Sequence, residues 1–393
     1  MQSSALLQQS HDLQMYPISF ILRTFVTVII KRIRYHIRIM KSEFRIINVL
    51  RPLGWLYGLV TGIRNLLYDK GILKSAVFPL PVISIGNITV GGTGKTPHAE
   101  YTATLLKDHF KTAVLSRGYG RHTKGFFMSD AHSDSGLIGD EPLQIKRRFP
   151  DLEVAVCNDR AKGIRRLMEM CSPDVIILDD AFQHRRITPS LNILLVNWHR
   201  NILNDAMLPT GHLRENPKGR RRADIIIVTK CPQGITRNSM NELAQSLRVK
   251  PEQQVFFTTP DYNQPYLIDD SGHPLQLPGV PLLAVTGIVS PTLMTAELER
   301  QGHQVSLMDY PDHHRFTKQD IANITNRLES MGPDAVIVTT AKDAARLSDL
   351  ELDETLLKKI YVLPIGVHFL RDADKFEKTI VSHVESFGKK KTK

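Results

Sequence analysis

Cysteine is nearly absent from this 393-residue chain: Cys157, Cys171 and Cys231 are the three it has. They lie far apart and form no C-x-x-C pair. That excludes a disulfide framework and a cysteine zinc site, and it suits a reducing compartment. Long hydrophobic runs are lacking too. The apolar stretch Ile18–Ile30 is interrupted by Arg23 and falls short of the roughly 20 apolar residues that a spanning helix needs. Lys31, Arg32, Arg34 and Arg38 follow that stretch rather than precede it, and no small-residue cleavage site comes after, which excludes a signal peptide. Acidic residues are scarce at the front: residues 1–80 hold 11 Lys/Arg against 3 Asp/Glu. Four lysines crowd into Lys389–Lys393, so the two ends carry the net charge of +11 and the body is close to neutral. A nucleic-acid binder would spread its basic residues over a folded face, and nucleic acid is therefore excluded as a partner. A basic, apolar leading segment points instead to an anionic membrane surface.

What is present is a phosphate-binding turn. Val82–Ile85 reads as a buried strand, residues 86–94 are glycine-rich, and a helix is expected from Lys95. Thr89-Val90-Gly91-Gly92-Thr93-Gly94-Lys95-Thr96 fits G-x-x-x-x-G-K-[ST] from its second glycine position onward, with Thr at the first. Glycines let backbone N–H groups curl around an anion, and the helix start adds its positive dipole end. Lys95 is expected to neutralise the β- and γ-phosphates, and the Thr96 hydroxyl to ligate Mg²⁺. The chain is expected to bind a nucleoside triphosphate.

Strands and helices alternate from there. Apolar runs at Thr112–Leu115, Val154–Cys157, Val175–Leu178, Asn192–Val196 and Ile225–Val228 join Val82–Ile85 in a doubly wound, mostly parallel α/β sheet. A second, smaller α/β lobe follows the turn Asp270-Ser271-Gly272, with strands near Leu282–Val285, Val305–Met308, Ala335–Thr339 and Tyr361–Leu363. The expected domains are an extension over 1–40, an amphipathic helical segment over 41–75, a P-loop core over 76–265 and a second lobe over 266–393. Met40 offers an alternative start to the chain. Between residues 44 and 68, Leu56, Leu59, Val60, Ile63 and Leu67 recur at helical spacing beside Trp55 and Tyr57, with Pro52 and Gly54 expected to divide the element. Two readings stay open: a helix lying in a bilayer surface, or one packed on the core.

Several strand ends carry chemistry. Val175–Leu178 runs into Asp179-Asp180, carboxylates that would hold Mg²⁺ opposite a P-loop. His184, Arg185 and Arg186 follow at once and suit an anionic ligand. Ser116–Arg121 brings Arg117 and Arg121 to the same edge. Asp140 in Gly139-Asp140-Glu141-Pro142 reads as a helix cap. Thr210–Glu215 adds a charged pair, Arg214 and Glu215. Asp312-His313-His314 is an acid/base candidate in the second lobe, and Thr339–Asp343 is a further strand-end cluster. Thr229-Lys230-Cys231-Pro232 stands where a GTPase carries Asn-Lys-x-Asp. With Thr and Pro at the reading positions, the expected nucleotide is ATP.

In this order the motifs resemble the tetraacyldisaccharide 4′-kinase family of lipid A biosynthesis. The resemblance runs from about residue 44 to the C-terminus. It rests on Ile85–Asn87 with Val90–Thr96, Ser116–Arg121, Gly139–Pro142, Leu178–Arg185, Gly211–Glu215 and Tyr310–His313. Leu67–Gly71 and Thr339–Asp343 support it. Ala181 and Asn216 depart from the family's usual Gly and Pro. The resemblance implies transfer of the ATP γ-phosphate to the 4′-hydroxyl of a tetraacylated glucosamine disaccharide 1-phosphate at the cytoplasmic face of the inner membrane; separately, the chain is expected to be a monomer. It implies that Asp140 and His313 form a catalytic pair with Lys95 beside them. Thr96, Asp179 and Asp180 would serve Mg²⁺, and Arg117, Arg121, His184, Arg185, Arg214 and Glu215 would meet the acceptor. Two rivals are a soluble P-loop kinase of a small metabolite and a nucleotide-switched membrane adaptor. The missing guanine motif counts against the second.

Overall fold

A computed structural model describes residues 51–268, 273–275 and 279–389. The extension over residues 1–40, the expected turn at Asp270–Gly272 and the end of the lysine tail lie outside the described residues.

Fourteen strands are formed among them. They are β1 (Val82–Asn87), β2 (Thr112–Ser116), β3 (Phe126–Met128), β4 (Glu153–Cys157), β5 (Val175–Asp179), β6 (Leu191–Asn197) and β7 (Ile225–Thr229). Next come β8 (Gln254–Tyr262), β9 (Tyr266–Leu267), β10 (Leu282–Thr286), β11 (Val305–Asp309), β12 (Val336–Thr340), β13 (Ile360–Leu363) and β14 (Ile365–Phe369). Helix α1 occupies residues 51–69. It is followed by α2 (Lys95–Lys107), α3 (Ser135–Ile138), α4 (Asp140–Arg148), α5 (Arg160–Cys171) and α6 (Arg237–Ser246). The last five are α7 (Thr292–Arg300), α8 (Lys318–Ser330), α9 (Ala341–Leu347), α10 (Glu354–Leu357) and α11 (Ala373–Lys389).

A nine-stranded sheet runs in the order β14-β8-β7-β6-β1-β5-β2-β4-β3. From β8 to β4 it is parallel, with antiparallel strands closing both edges. Strands β1, β5 and β7 are buried from end to end. That is why they read as unbroken apolar runs: helices cover both faces of a parallel sheet. The β1 strand lies between β5 and β6, so the chain reverses its winding there, and the carboxyl ends of β1, β2 and β5 face one crevice.

The second sheet, β11-β10-β12-β13-β9, is parallel except for β9. It carries its own apolar cores around Leu283, Val285 and Ile337 on one face and Leu282, Ala284 and Val338 on the other. The expected division at residue 266 needs correction. Strand β14 leaves the second lobe and pairs with β8 on the first sheet, and α11 packs there through Phe376 and Ile380. The second lobe is thus an insertion between β8 and β14. Its two crossings lie side by side, with Asn263 N–H donating to the Pro364 carbonyl at 3.3 Å.

Helix α1 is one unbroken element over its described residues, against the expectation that Pro52 and Gly54 divide it. Gly54 is a contact point rather than a break: a Cβ there would stand 2.8 Å from Thr210 Oγ1. The small and polar residues Gly54, Gly58, Thr61 and Asn65 turn inward, at helical spacing. Outward stand Leu53, Trp55, Leu56, Leu59, Val60, Ile63 and Leu66, with Trp55 74% exposed. This polarity is the reverse of a helix packed on a soluble core.

Candidate active site

The P-loop leaves β1 at Asn87, whose side-chain amide donates to Thr93 Oγ1 at 2.7 Å and pins the turn. Gly91 and Gly94 take φ of 95° and 82°, a region glycine enters without strain. His98, one turn into α2, donates from Nδ1 to the Gly94 carbonyl at 2.7 Å and meets Thr258 Oγ1 at 3.1 Å through Nε2. Burial lowers its pKa to about 4, so it stays neutral. The loop around Arg214 runs alongside: Val90 N–H donates to the His212 carbonyl and Arg214 N–H to that of Ile88.

Strand β5 delivers Asp179 and Asp180 one strand away from the P-loop, with Asp179 in register with Ile85. Asp180, at φ 49°, takes Lys95 at 3.7 Å and Arg214 at 3.3 Å. Asp179 is fully buried, and neither carboxylate oxygen has a hydrogen-bond partner. Burial, then the charges of Glu141 and Asp180, push its pKa up to about 8. A buried carboxylate of this kind calls for a proton or a cation. Thr96, Asp179 and Asp180 therefore fit Mg²⁺, which is commonly held by one or two carboxylates and completed by phosphate and water. Among the described residues no group of three or more His, Cys, Asp or Glu side chains is placed to hold a metal by itself.

The lobes meet at Asp140. Gly139, at φ 91°, turns the chain so that α4 begins at Asp140, packed so closely that a Cβ at Gly139 would lie 2.7 Å from the Tyr119 carbonyl. From the second lobe, His313 Nδ1 reaches Asp140 Oδ2 at 2.9 Å. Burial pushes the Asp140 carboxyl up, but the His313 hydrogen bond and the charges of Lys342, His313 and Arg346 outweigh it and hold Asp140 below the usual carboxylate range. An ionised Asp140 only accepts, so Nδ1 of His313 is the donor in this contact. His313 takes φ 61°, uncommon for a residue with a Cβ, and its ring packs on Tyr119 at 4.9 Å.

Lys342, on α9, binds this pair together. Its ammonium lies 3.2 Å from His313 Nε2, 3.2 Å from Asp312, 3.6 Å from Glu141 and 3.8 Å from Asp140. The start of α9 is fixed beneath it: buried Asp343 accepts from Thr286, Thr340, the Gly287 N–H and Arg346. Thr339–Asp343 announces this cluster in the sequence, but Lys342 was not among the expected site residues. Arg160 was missed as well. It is almost wholly buried and donates to the carbonyls of Cys157 and Asp179. Only its place just after an Asp N-cap and β4 hinted at this.

Three expected acceptor ligands have other partners. Arg121 donates to the Gly125, Val156 and Thr123 oxygens and holds its own loop. Arg185 pairs with Asp69 at 2.7 Å and lies over the Tyr68 ring, tying the end of α1 to the sheet. Glu215 is fully buried, accepting from Arg222, Asn65 and Gln183. In each case the charged group already has protein partners, because a buried or half-buried charge left unpaired is costly. Arg117 remains exposed, without a carboxylate partner among the described residues. Arg214 stays at the site edge against Asp180, and His184, its pKa lowered to about 4 by burial and Arg160, leaves Nε2 unpartnered.

The model of the tetraacyldisaccharide-1-P 4′-kinase family matches residues 46–385, most of the chain. The chain belongs to that family. Tetraacyldisaccharide 4′-kinase of Bacteroides fragilis is 44% identical over 356 residues, 88% of this chain and 95% of that protein. The protein of the same name from Phocaeicola vulgatus is 44% identical over 346 residues, covering 85% and 94%. A crystal structure of LpxK from Aquifex aeolicus in complex with ATP superposes with a TM-score of 0.68 at 30% identity, covering 86% of this chain and 99% of that one. Family membership extends through the insertion, so both lobes of this chain, including Asp140 and His313, fall inside the matched span.

Proposed function

We propose that this chain transfers the γ-phosphoryl group of ATP to the 4′-hydroxyl of a tetraacylated glucosamine disaccharide 1-phosphate. The product is the 1,4′-bisphosphate, lipid IVA, and ADP leaves. The observation that carries this reading is the Asp140–His313 contact, which joins the lobes at the edge where the P-loop opens. Phosphoryl transfer asks for positioning, charge neutralisation and a proton acceptor near the attacking hydroxyl. The P-loop N–H groups and Lys95 supply the first two for the donor. The acceptor oxygen forms its bond to the γ-phosphorus as the bond to the β,γ-bridging oxygen breaks, and the hydroxyl proton passes to the Asp140–His313 pair. Thr96, Asp179 and Asp180 would hold Mg²⁺, which when bound neutralises charge on the β- and γ-phosphates. Arg117, Arg214 and His184 are read as the side chains that receive the acceptor, a reading supported by the exposure of Arg117, the position of Arg214 against Asp180 and the unpartnered Nε2 of His184.

The acyl chains of the acceptor require contact with lipid, and the outward apolar face of α1 supports a peripheral position at the cytoplasmic face of the inner membrane. The chain is read as acting alone, as a monomer. Incubation of the purified protein with labelled ATP and the disaccharide 1-phosphate in detergent is expected to yield a labelled glycolipid. ATP binding without such a product would sink the reading.

A further inference from the structure

Beside α1 lies a cavity of about 960 Å³ that shares no lining residue with the Asp140–His313 pair. Five basic side chains line it. Arg51 comes from α1, Lys218, Arg220 and Arg221 come from the 3₁₀ turn Pro217–Arg222, and Arg248 follows α6. The lone carboxylate on its wall, Asp205, is already engaged with His212 at 3.2 Å. Arg51, Lys218, Arg221 and Arg248 are exposed and have no carboxylate partner among the described residues. Arg220 is different: nearly buried, it is fixed by donating to the Leu247 carbonyl at 2.6 Å and the Pro217 carbonyl at 2.9 Å. Burial depresses its pKa, and the charges of Arg221 and Arg248 depress it further, so like charges converge here at a cost.

An ordinary solvated basic patch would separate such charges. Here one cation is locked in place by backbone carbonyls, and the cavity wall also carries Trp55 of α1. Next to Trp55 stand the exposed Leu56, Leu59 and Val60. Apolar side chains beside a row of unpaired arginines match the layering of a bilayer edge, acyl chains first and phosphates above them.

We propose that this cavity is a binding site for the phosphate headgroup of an anionic membrane phospholipid, distinct from the acceptor site. The proposal rests on the membrane position given above and adds a headgroup preference to it. Full-length protein is floated with vesicles of phosphatidylcholine alone and of phosphatidylcholine mixed with phosphatidylglycerol. Wild type should bind the anionic vesicles more tightly. Arg221→Glu with Arg248→Glu should erase that preference, a loss of about tenfold or more for two charges near the surface. Arg221→Gln with Arg248→Gln should give an intermediate loss. Turnover of detergent-solubilised acceptor by both variants should match wild type, which also shows that they fold. Equal binding of both vesicle types by wild type, unchanged in the variants, overturns the headgroup site while leaving the apolar contact of α1. Binding to neither vesicle overturns the membrane position itself. A raised KM for the acceptor in detergent would assign the cavity to the substrate and overturn the proposal in the other direction.

Discussion

Asp179 and Lys342 are single residues whose surroundings fix the direction of their effects. Asp179 has a folded pKa of about 8 against an ordinary 3.8. Between those values the folded chain holds a proton that the unfolded chain has lost. Its contribution to stability is therefore full below the lower value, declines as pH rises, and is gone above the upper one. Asp179→Asn removes that dependence. In the absence of divalent cation, it should melt higher than wild type at about pH 9, by at least the ~2 °C that ~1 kcal/mol produces in a chain of this size, with little difference at about pH 4. A gap that does not change with pH would contradict the assignment, as would a variant that keeps its Mg²⁺ dependence. For the proposed catalytic pair, Asp140→Ala and His313→Ala should each lower kcat by roughly 10²–10⁴-fold, the usual worth of general acid–base catalysis. Lys342→Met should lower kcat by about tenfold or more, leave the KM for ATP near normal, and shift the acid limb of the pH–rate profile. An unshifted profile would reduce Lys342 to a structural link.

At the level of elements, strand β14 and helix α11 belong to the P-loop half although they follow the inserted lobe. Phe256 of β8, Phe369 of β14 and Phe376 of α11 pack as one aromatic cluster, and Tyr101 of α2 donates to Glu377 at 2.7 Å. Removing residues 365–393 should therefore unfold the nucleotide-binding half. The check is loss of ATP binding together with the cooperative melt of that half; ATP binding at wild-type affinity by the truncated chain would refute it. This return was not legible in the sequence. Val82–Ile85 and Ile225–Val228 announced themselves because both their faces are buried, whereas β14 is a five-residue edge strand, Ile-Gly-Val-His-Phe, with three half-buried residues, one exposed and one buried, and carries no clear period. The edge strand β3, with all three of its residues half-buried, escaped for the same reason. The phosphate-binding turn Gly91–Thr96 was legible because its loop must take one geometry, whereas Asp140 read by itself as a helix cap and stood out only through the family resemblance. Arginines were not legible: Arg117, Arg121 and Arg185 look alike in a sequence, and only their neighbours decide which is left exposed.

Taken whole, the molecule has two lobes that meet through an apolar patch, Ala345 against Ile138, Leu143 and Val156, and through polar and ionic contacts on which the proposed chemistry lies: Asp140 to His313, Lys342 to Glu141, Arg315 to the Gly120 carbonyl. High salt should weaken these ionic contacts more than it weakens ATP binding, so turnover should fall while nucleotide affinity changes little. A parallel loss of both would argue against it. The double crossing at Asn263 and Pro364 has a consequence for ancestry and for engineering. Both ends of the inserted lobe enter at one point, so a short turn joining them would leave the nine-stranded sheet with every strand in its order. The lobe that carries His313 is thus a cassette, and the sheet that grips the nucleotide is topologically complete without it.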